Sequence, residues 1–329
     1  MIPNRLALVT VALALSCIPL AASQPASKAE TWPTRPVRLV VPFAAGGATD
    51  VVMRIVAGKV GEQTSATFVI DNRAGGGGNI GTELAKSATP DGYTFLVGSP
   101  GTLAINPHLF RSVPYDALKD FVPVVHLARF PQVLAVNASL PAKTTAELIA
   151  LAKSQPNKLN YGSGGAGSTG HLITASFLQQ AGIQVTHVPF RGGALAVQSL
   201  LAGEVQMVID GLPSFTAHLQ AGRIRVLAVT TSDRWPGLPH VPTISESGVP
   251  GFDLSSWTLL AAPVGTPPTI VARLAQEVNT ALKNEEVRAR LLLVGATPVG
   301  GTPEAALKFH RAEYEKWKRV VQVSGAKVE

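Results

Sequence analysis

The groups in this sequence best placed to do chemistry are backbone amides. The run Pro42-Phe43-Ala44-Ala45-Gly46-Gly47-Ala48-Thr49-Asp50 carries no charge between Pro42 and Thr49. It follows a short apolar segment, Leu39-Val40-Val41, that reads as a buried strand. It precedes Val51–Val60, in which Val52, Ile55, Val56 and Val60 share one helical face. A strand that turns through glycine into a helix start leaves the first helical N–H groups without intrahelical partners, and the helix dipole makes that spot favourable for an anion. Thr49 and Asp50 are expected to supply the N-cap. Asp50 is more often a first-turn helix acid than a ligand group, and Phe43 can wall a ligand or simply pack.

Similar loops recur. Ala74–Asn79, Gly98–Thr102, Gly162–Gly170 and Pro189–Gly193 are each preceded by a short β-type segment. Ser99, Thr102, Ser168 and Thr169 are small hydroxyls within them. They can satisfy their own backbone or donate to a carboxylate. Arg191 precedes a glycine pair and can pair an anion bidentately or stay solvated. Asp210 runs from a strand straight into Gly211, which puts it at the cleft edge, where it can meet a hydroxyl, an ammonium or a bridging water.

Catalytic and cofactor motifs fare worse. Gly76-Gly77-Gly78-Asn79-Ile80-Gly81 matches the dinucleotide pattern G-x-G-x-x-G, but the next strand ends near Gly98-Ser99 with no acid to hold a ribose. No nucleophile elbow exists, because Tyr161 and Ala166 stand where Ser163 and Ser168 would need glycine. H-E-x-x-H and the phosphate-loop lysine motif are absent, and the seven histidines show no paired metal spacing. His171, at a helix start, reads as structural rather than as a ligand. No cofactor and no metal are implied. An exported hydrolase using His171 or Asp210 is the enzymatic alternative, weakened by the missing nucleophile–base pattern.

The positioning elements alternate strand and helix. Further strands are expected at Thr67–Ile70, Tyr93–Val97, Phe121–Ala128, Val133–Val136, Val185–Val188, Val205–Ile209, Arg225–Val229 and Trp257–Ala261. Helices are expected at Ile80–Ser87, from the capping box Thr144-x-x-Glu147 to about Ser154, at His171–Gln180 and at Ala194–Leu201. Two more close the chain, after Thr266-Pro267 and Thr302-Pro303, each with a threonine N-cap. Alternation of this kind implies an α/β fold with mostly parallel sheets, whose ligand loops gather at the strands' carboxyl ends. The glycine-rich loops form two groups, at 42–102 and 162–214, so two domains facing across a cleft would bring both onto one ligand.

The chain has 329 residues, 46% hydrophobic, enough for a large core in one to three domains. Residues 1–23 read as a signal peptide, with Arg5 ahead of an apolar run from Leu6 to Ala22 and small residues before Gln24. Cys17 lies inside it, after a poor lipidation sequence. Cleavage would leave a chain without cysteine, whose formal charge falls from +7 to +6 because Arg5 is the only charge removed. The basic residues are scattered, without the basic run or aromatic motif of a nucleic-acid binder.

At these loops the chain resembles the substrate-binding proteins of tripartite tricarboxylate transporters, the Bug family. The resemblance is carried by Pro42–Asp50, Asn72–Gly81, Pro90–Thr94, Asn160–Gly164, His171-Leu172, Val188–Gly192, Asp210–Ser214, Val241–Thr243 and Ala262–Pro267. It implies a periplasmic binding protein of type II, with two α/β domains joined by two crossovers around a central cleft. The domains would be 36–130 plus 254–329, and 131–253. It also implies a small carboxylate (a di- or tricarboxylate, an acidic amino acid or an aromatic acid) held largely by amides and hydroxyls. The implied binding residues are Phe43, Ala44, Gly46, Gly47, Asn79, Ser99, Thr102, Gly165, Gly167, Ser168, Thr169, Arg191 and Asp210. The implied partners are membrane permease subunits, or a membrane sensor, and the protein is expected to be a monomer in the periplasm of a Gram-negative cell. The chain departs from the family at Phe190-Arg191, where tyrosine and lysine are usual, and at Ala74 and Gly76.

Overall fold

The computed structural model describes residues 32–326 apart from Ala44, Arg191, Gly192, Thr216, Ala217 and 219–221. The signal-peptide segment 1–23, Ala44 and Arg191 therefore lie outside the described residues.

Two sheets form the frame. The first has strand order β11 (Thr297–Gly300), β4 (Phe121–Phe130), β10 (Ser256–Pro263), β3 (Thr94–Gly98), β1 (Val37–Val41), β2 (Phe68–Asn72), and the second β7 (Thr186–Pro189), β6 (Asn160–Ser163), β8 (Met207–Gly211), β5 (Gln132–Asn137), β9 (Ile224–Val229). In the first, β1 (Val37–Val41), β2 (Phe68–Asn72) and β3 (Thr94–Gly98) pair in parallel. They are joined through α1 (Ala48–Thr64) and α2 (Asn79–Lys86). β4 (Phe121–Phe130) runs on past Pro131 into β5 (Gln132–Asn137) of the second sheet. There β6 (Asn160–Ser163), β7 (Thr186–Pro189) and β8 (Met207–Gly211) pair in parallel through α5 (Thr169–Ala181) and α6 (Gly193–Ala202). After β9 (Ile224–Val229) the chain returns as β10 (Ser256–Pro263).

The pairing is mixed rather than mostly parallel. β10 is antiparallel to β3 and β4, and β5 is antiparallel to β8 and β9. The crossovers cause this. A strand entering a sheet from the other sheet starts where the resident strands end, so it must run against them. Both reversed strands insert inside their sheets, which makes both neighbours of each antiparallel. The two crossovers are laced together by Thr230 N–H to the Gln132 carbonyl (3.0 Å) and Gln132 N–H to the Thr230 hydroxyl (3.2 Å).

Element positions mostly match the sequence reading within two residues, but the C-terminal part differs. Three helices follow β10, not two: α7 (Pro268–Lys283), α8 (Glu285–Leu293) and α9 (Pro303–Ser324). Asn284 restarts the chain by accepting from Val287 N–H at 3.2 Å, and β11 (Thr297–Gly300) then pairs with β4. Thr302 caps α9 as expected, accepting from Ala305 N–H at 3.2 Å. Thr266 does not cap α7; its hydroxyl donates to the Pro263 carbonyl at 2.8 Å, and Pro267 occupies the cap. Of the remaining helices, α4 (Thr145–Ser154) begins with the Thr144–Glu147 bond at 3.1 Å, and the four-residue α3 (Asn106–Leu109) sits beside the cleft.

One hydrophobic core runs continuously from the first sheet to the α5 face of the second, through Leu103, Leu134, Phe177, Trp257 and Trp317. α9 spans it. Its buried Glu313 accepts from the Trp257 indole at 2.7 Å and the Trp317 indole at 3.0 Å, and pairs with Lys316 at 2.7 Å. A smaller core of Val133, Val197, Leu200, Val208 and Phe215 covers the other face of the second sheet.

Candidate functional site

A cavity of about 580 Å³ opens between the carboxyl ends of the two sheets. The first-sheet side contributes Phe43, Gly47, Ala48, Thr49 and Gly77, then Ser99, Pro100, Gly101, Ile105, Asn106, Leu109 and Phe110. The second-sheet side contributes Ala166, Gly167, Ser168 and Thr169, and Ser256 stands at the returning crossover. Among the described residues, none that lines the cavity is charged.

Two helix starts face this space. α1 begins at Ala48, with Gly47 in extended conformation as its N-cap. This corrects the expected cap at Thr49 and Asp50. Asp50 is the third helical residue, buried, and reaches back to accept from Gly46 N–H at 2.8 Å. The Ala48 and Thr49 amides, in the first turn, have no intrahelical acceptor. α5 begins at Thr169, and the Ser168 hydroxyl accepts from His171 N–H at 3.3 Å, which leaves the Thr169 and Gly170 amides open in the same way.

Between β3 and α3 the chain makes a π-helical turn, Gly101–Ile105, a form that recurs at functional sites. Inside it the Thr102 hydroxyl is engaged with the backbone of Ser99 (3.3 and 3.4 Å), and the Thr102 carbonyl accepts from the Tyr115 hydroxyl at 2.7 Å. Asn106 donates to the Gly77 carbonyl at 2.9 Å and to Asn79 Oδ1 at 2.8 Å. Thr102 and Asn79 are thus turned into the wall that holds the glycine loop 76–78 against the π-turn.

The opposite loop is held by an aromatic stack. The rings of Tyr161, His187 and His171 lie nearly parallel, with successive centroids 4.7 and 4.2 Å apart. His171 Nδ1 accepts from Gly167 N–H at 3.0 Å, and His187 Nε2 meets the Ser163 hydroxyl at 2.7 Å, which in turn accepts from Gly165 N–H at 3.2 Å. His171 must be neutral at Nδ1 to make this bond, in keeping with the structural role expected for it. Gly167 has φ +77° and touches the far wall: a Cβ there would sit 2.6 Å from Leu109 Cδ2. Its left-handed conformation favours glycine, and any side chain there would press on Leu109 across the cleft.

Of the sequence-expected residues, Phe43, Gly47, Ser99, Gly167, Ser168 and Thr169 line the cavity together. Gly46, Asn79, Thr102 and Gly165 lie behind the lining. Asp210 stands apart, accepting from Gly211 N–H at 2.7 Å and packed against the start of α6, where a Cβ on Gly193 would fall 2.0 Å from Asp210 Oδ2. Burial pushes its carboxyl above the usual range. Ile105, Asn106, Leu109, Phe110 and Ser256 were not foreseen. The only sequence signal was Asn106-Pro107, a helix start directly after the glycine loop.

Buried histidines make the fold sensitive to acid. Burial, aided by Arg129, holds His126 down to about 4; burial, aided by His171, does the same to His187; burial lowers His171. Above the ordinary histidine value of 6.5 these groups are neutral in both states and cost nothing. As pH falls below it, the unfolded chain takes up protons first, so stability drops until the folded-state values near 4 are reached. For His126 the loss approaches about 3 kcal/mol. Asp50 and Asp71, whose pKa values are lowered, act in a separate window below about pH 4. Urea melts of the ligand-free protein should show a midpoint falling steadily from pH 6.5 to 4.5; a constant midpoint over that range contradicts the assignment.

Comparison with known proteins agrees with this geometry. The family described as "Tripartite tricarboxylate transporter family receptor" matches residues 52–326. Protein BugT of Bordetella pertussis is 38% identical over 301 residues, covering 91% of this chain and 92% of its own. The R. palustris protein Rpa4515, solved with adipate, is 43% identical with a TM-score of 0.80, over 90% of this chain and all of its own. MatC from Rhodopseudomonas palustris, solved with bound malate, is 34% identical with a TM-score of 0.74, over 88% and 99%. The fold is that of the two-domain type II periplasmic binding proteins. The chain belongs to the tripartite tricarboxylate transporter receptor family, whose members are solute-binding proteins and not enzymes.

Proposed function

We propose that this protein is an exported receptor for a small dicarboxylate with an apolar middle, handed on to the membrane permease of a tripartite tricarboxylate-type transporter. The observation that carries the reading is the pair of helix starts, α1 and α5, on opposite sides of one cavity whose lining, among the described residues, bears no charge. Each can take one carboxylate through open amides and a hydroxyl, Thr49 or Ser99 on one side and Ser168 or Thr169 on the other. The apolar wall of Phe43, Ile105, Leu109 and Phe110 suits the methylene segment between them. Neutral donors suit a ligand that must be released, and a micromolar dissociation constant, about −8 kcal/mol, is in keeping with such a site.

In this reading the lobes are 36–130 plus 254–329 and 131–253, the paired crossovers act as the hinge, and closure brings the two helix starts onto the ligand. Cleavage after residue 23 would release the mature monomer into the periplasm. Adipate and malate, bound by the two R. palustris relatives, are the first compounds to try. A thermal-shift panel of mono-, di- and tricarboxylates and amino acids is the test. Dicarboxylates should raise Tm by several degrees at concentrations well above Kd, because a ligand bound only by the folded state stabilises it. A response confined to monocarboxylates or to cationic amino acids would reject the two-ended site.

A further inference from the structure

The connection from β1 to α1 runs through Phe43 to Gly46 and Gly47, two glycines that bring no side chains with which to fix its backbone. Two of its backbone groups are fixed from outside the cavity. Asn72, at the end of β2, donates through Nδ2 to the Phe43 carbonyl at 3.1 Å, and Asp50 accepts from Gly46 N–H at 2.8 Å. The two side chains also bond each other, Asn72 Nδ2 to Asp50 Oδ1 at 3.0 Å. Arg54, one turn along α1, closes the triangle with Nε to Asp50 Oδ2 at 2.9 Å and Nη2 to Asn72 Oδ1 at 3.0 Å. Asp50 is 2% exposed, and each of its oxygens is engaged.

We propose that Asp50, Asn72 and Arg54 are positioning residues for the ligand, although none of them lines the cavity. Their triangle holds Phe43 and Gly46 beside the α1 start in place for binding, and Arg54 neutralises a carboxylate that would otherwise oppose an incoming anion. The second part follows from placement. Asp50 lies in the first turn of α1, the same turn whose Ala48 and Thr49 line the cavity, where an unpaired negative charge cancels the favourable end of the helix dipole. The first part follows from entropy. A loop ordered before binding does not have to be ordered by the ligand. The proposal rests on the reading that a carboxylate binds at the α1 start.

Three variants of the full chain test it, with two readouts. Amide hydrogen exchange across 43–47 is followed without ligand, and adipate affinity by calorimetry. Asn72→Ala should speed exchange at Gly46 and weaken adipate at least about tenfold, the worth of the bond it makes to the Asp50 carboxylate. Arg54→Ala should weaken adipate by a similar factor, and adding Asp50→Asn should recover part of that loss, because the opposing charge is gone although one of the two accepting oxygens that hold Gly46 and Asn72 is lost with it. A clamp that only stabilises the fold would instead give additive losses in the double variant, and that result would overturn the electrostatic role. Unchanged exchange in Asn72→Ala would overturn the loop-holding role. If the unmodified protein does not bind adipate, the adipate reading of the cavity fails by itself, and the exchange measurement still decides whether the triangle holds the loop.

Discussion

Ala48→Pro is expected to weaken dicarboxylate binding at least about tenfold while leaving the thermal midpoint almost unchanged. Ala48 is the first residue of α1, a position where proline fits the helix and removes an N–H that has no intrahelical acceptor. The residue before a proline must be extended, and Gly47 already is, with φ −73° and ψ 163°. The substitution therefore deletes one candidate ligand donor and little else. A bond from an amide to a carboxylate is worth about 1.5–3 kcal/mol, a factor of ten or more. Thr169→Pro is the matching change on the other lobe, where Ser168 is likewise extended at φ −62° and ψ 154°. The two should reduce affinity together by about two orders of magnitude, since the sites are on separate elements. Calorimetry on both variants, beside their melting curves, checks this. Affinity unchanged in either would remove that amide from the site.

Glu313→Ala should be the most destabilising single change among the buried polar groups of the α9 interface. One carboxylate oxygen accepts from two buried indoles, Trp257 on β10 and Trp317 on α9, and the other pairs with Lys316. Alanine strands both indole N–H groups in a core where Trp257 is 1% and Trp317 0% exposed. An unsatisfied buried donor costs about 1–3 kcal/mol, so the loss is on the order of 3 kcal/mol, or roughly 6–10 °C in Tm. Glu313→Gln retains an oxygen acceptor and should recover more than half of it. Thermal unfolding of the two variants is the check, and a midpoint within about 2 °C of the unmodified protein would show that the indoles find other partners.

The strands and most helices were legible because their patterns are local. Leu39-Val40-Val41 reads as a buried strand wherever it sits, and Thr144-x-x-Glu147 marks a helix start without tertiary help. Strand direction was not legible. That β10 and β5 run against their neighbours depends on where the chain crosses between sheets, which Phe130-Pro131-Gln132 does not announce. α8 escaped notice because its cap, Asn284, lies one residue beyond the end of α7, so a single long helix read equally well.

At the site, the helix starts were legible and the fate of individual side chains was not. Ser99 and Thr102 are both hydroxyls in one glycine-rich loop, yet a π-turn aims one at the cavity and the other back at the chain. Leu109 and Phe110 form the apolar wall from a four-residue helix too short to show a period. Asp210 ends β8, the middle strand of the second sheet, and packs on the start of α6 instead of lining the cavity at the cleft edge implied by its strand-to-glycine step.

The central claim, a two-ended carboxylate site built from amides and hydroxyls, is tested most directly by calorimetric titration with adipate and with hexanoate, which share a six-carbon chain and differ by one carboxylate. Adipate should bind with a micromolar or tighter dissociation constant and hexanoate about a hundredfold more weakly, the loss of one helix-start contact set. Equal affinity for the two acids would contradict the account, because it would mean that only one of the facing helix starts meets the ligand.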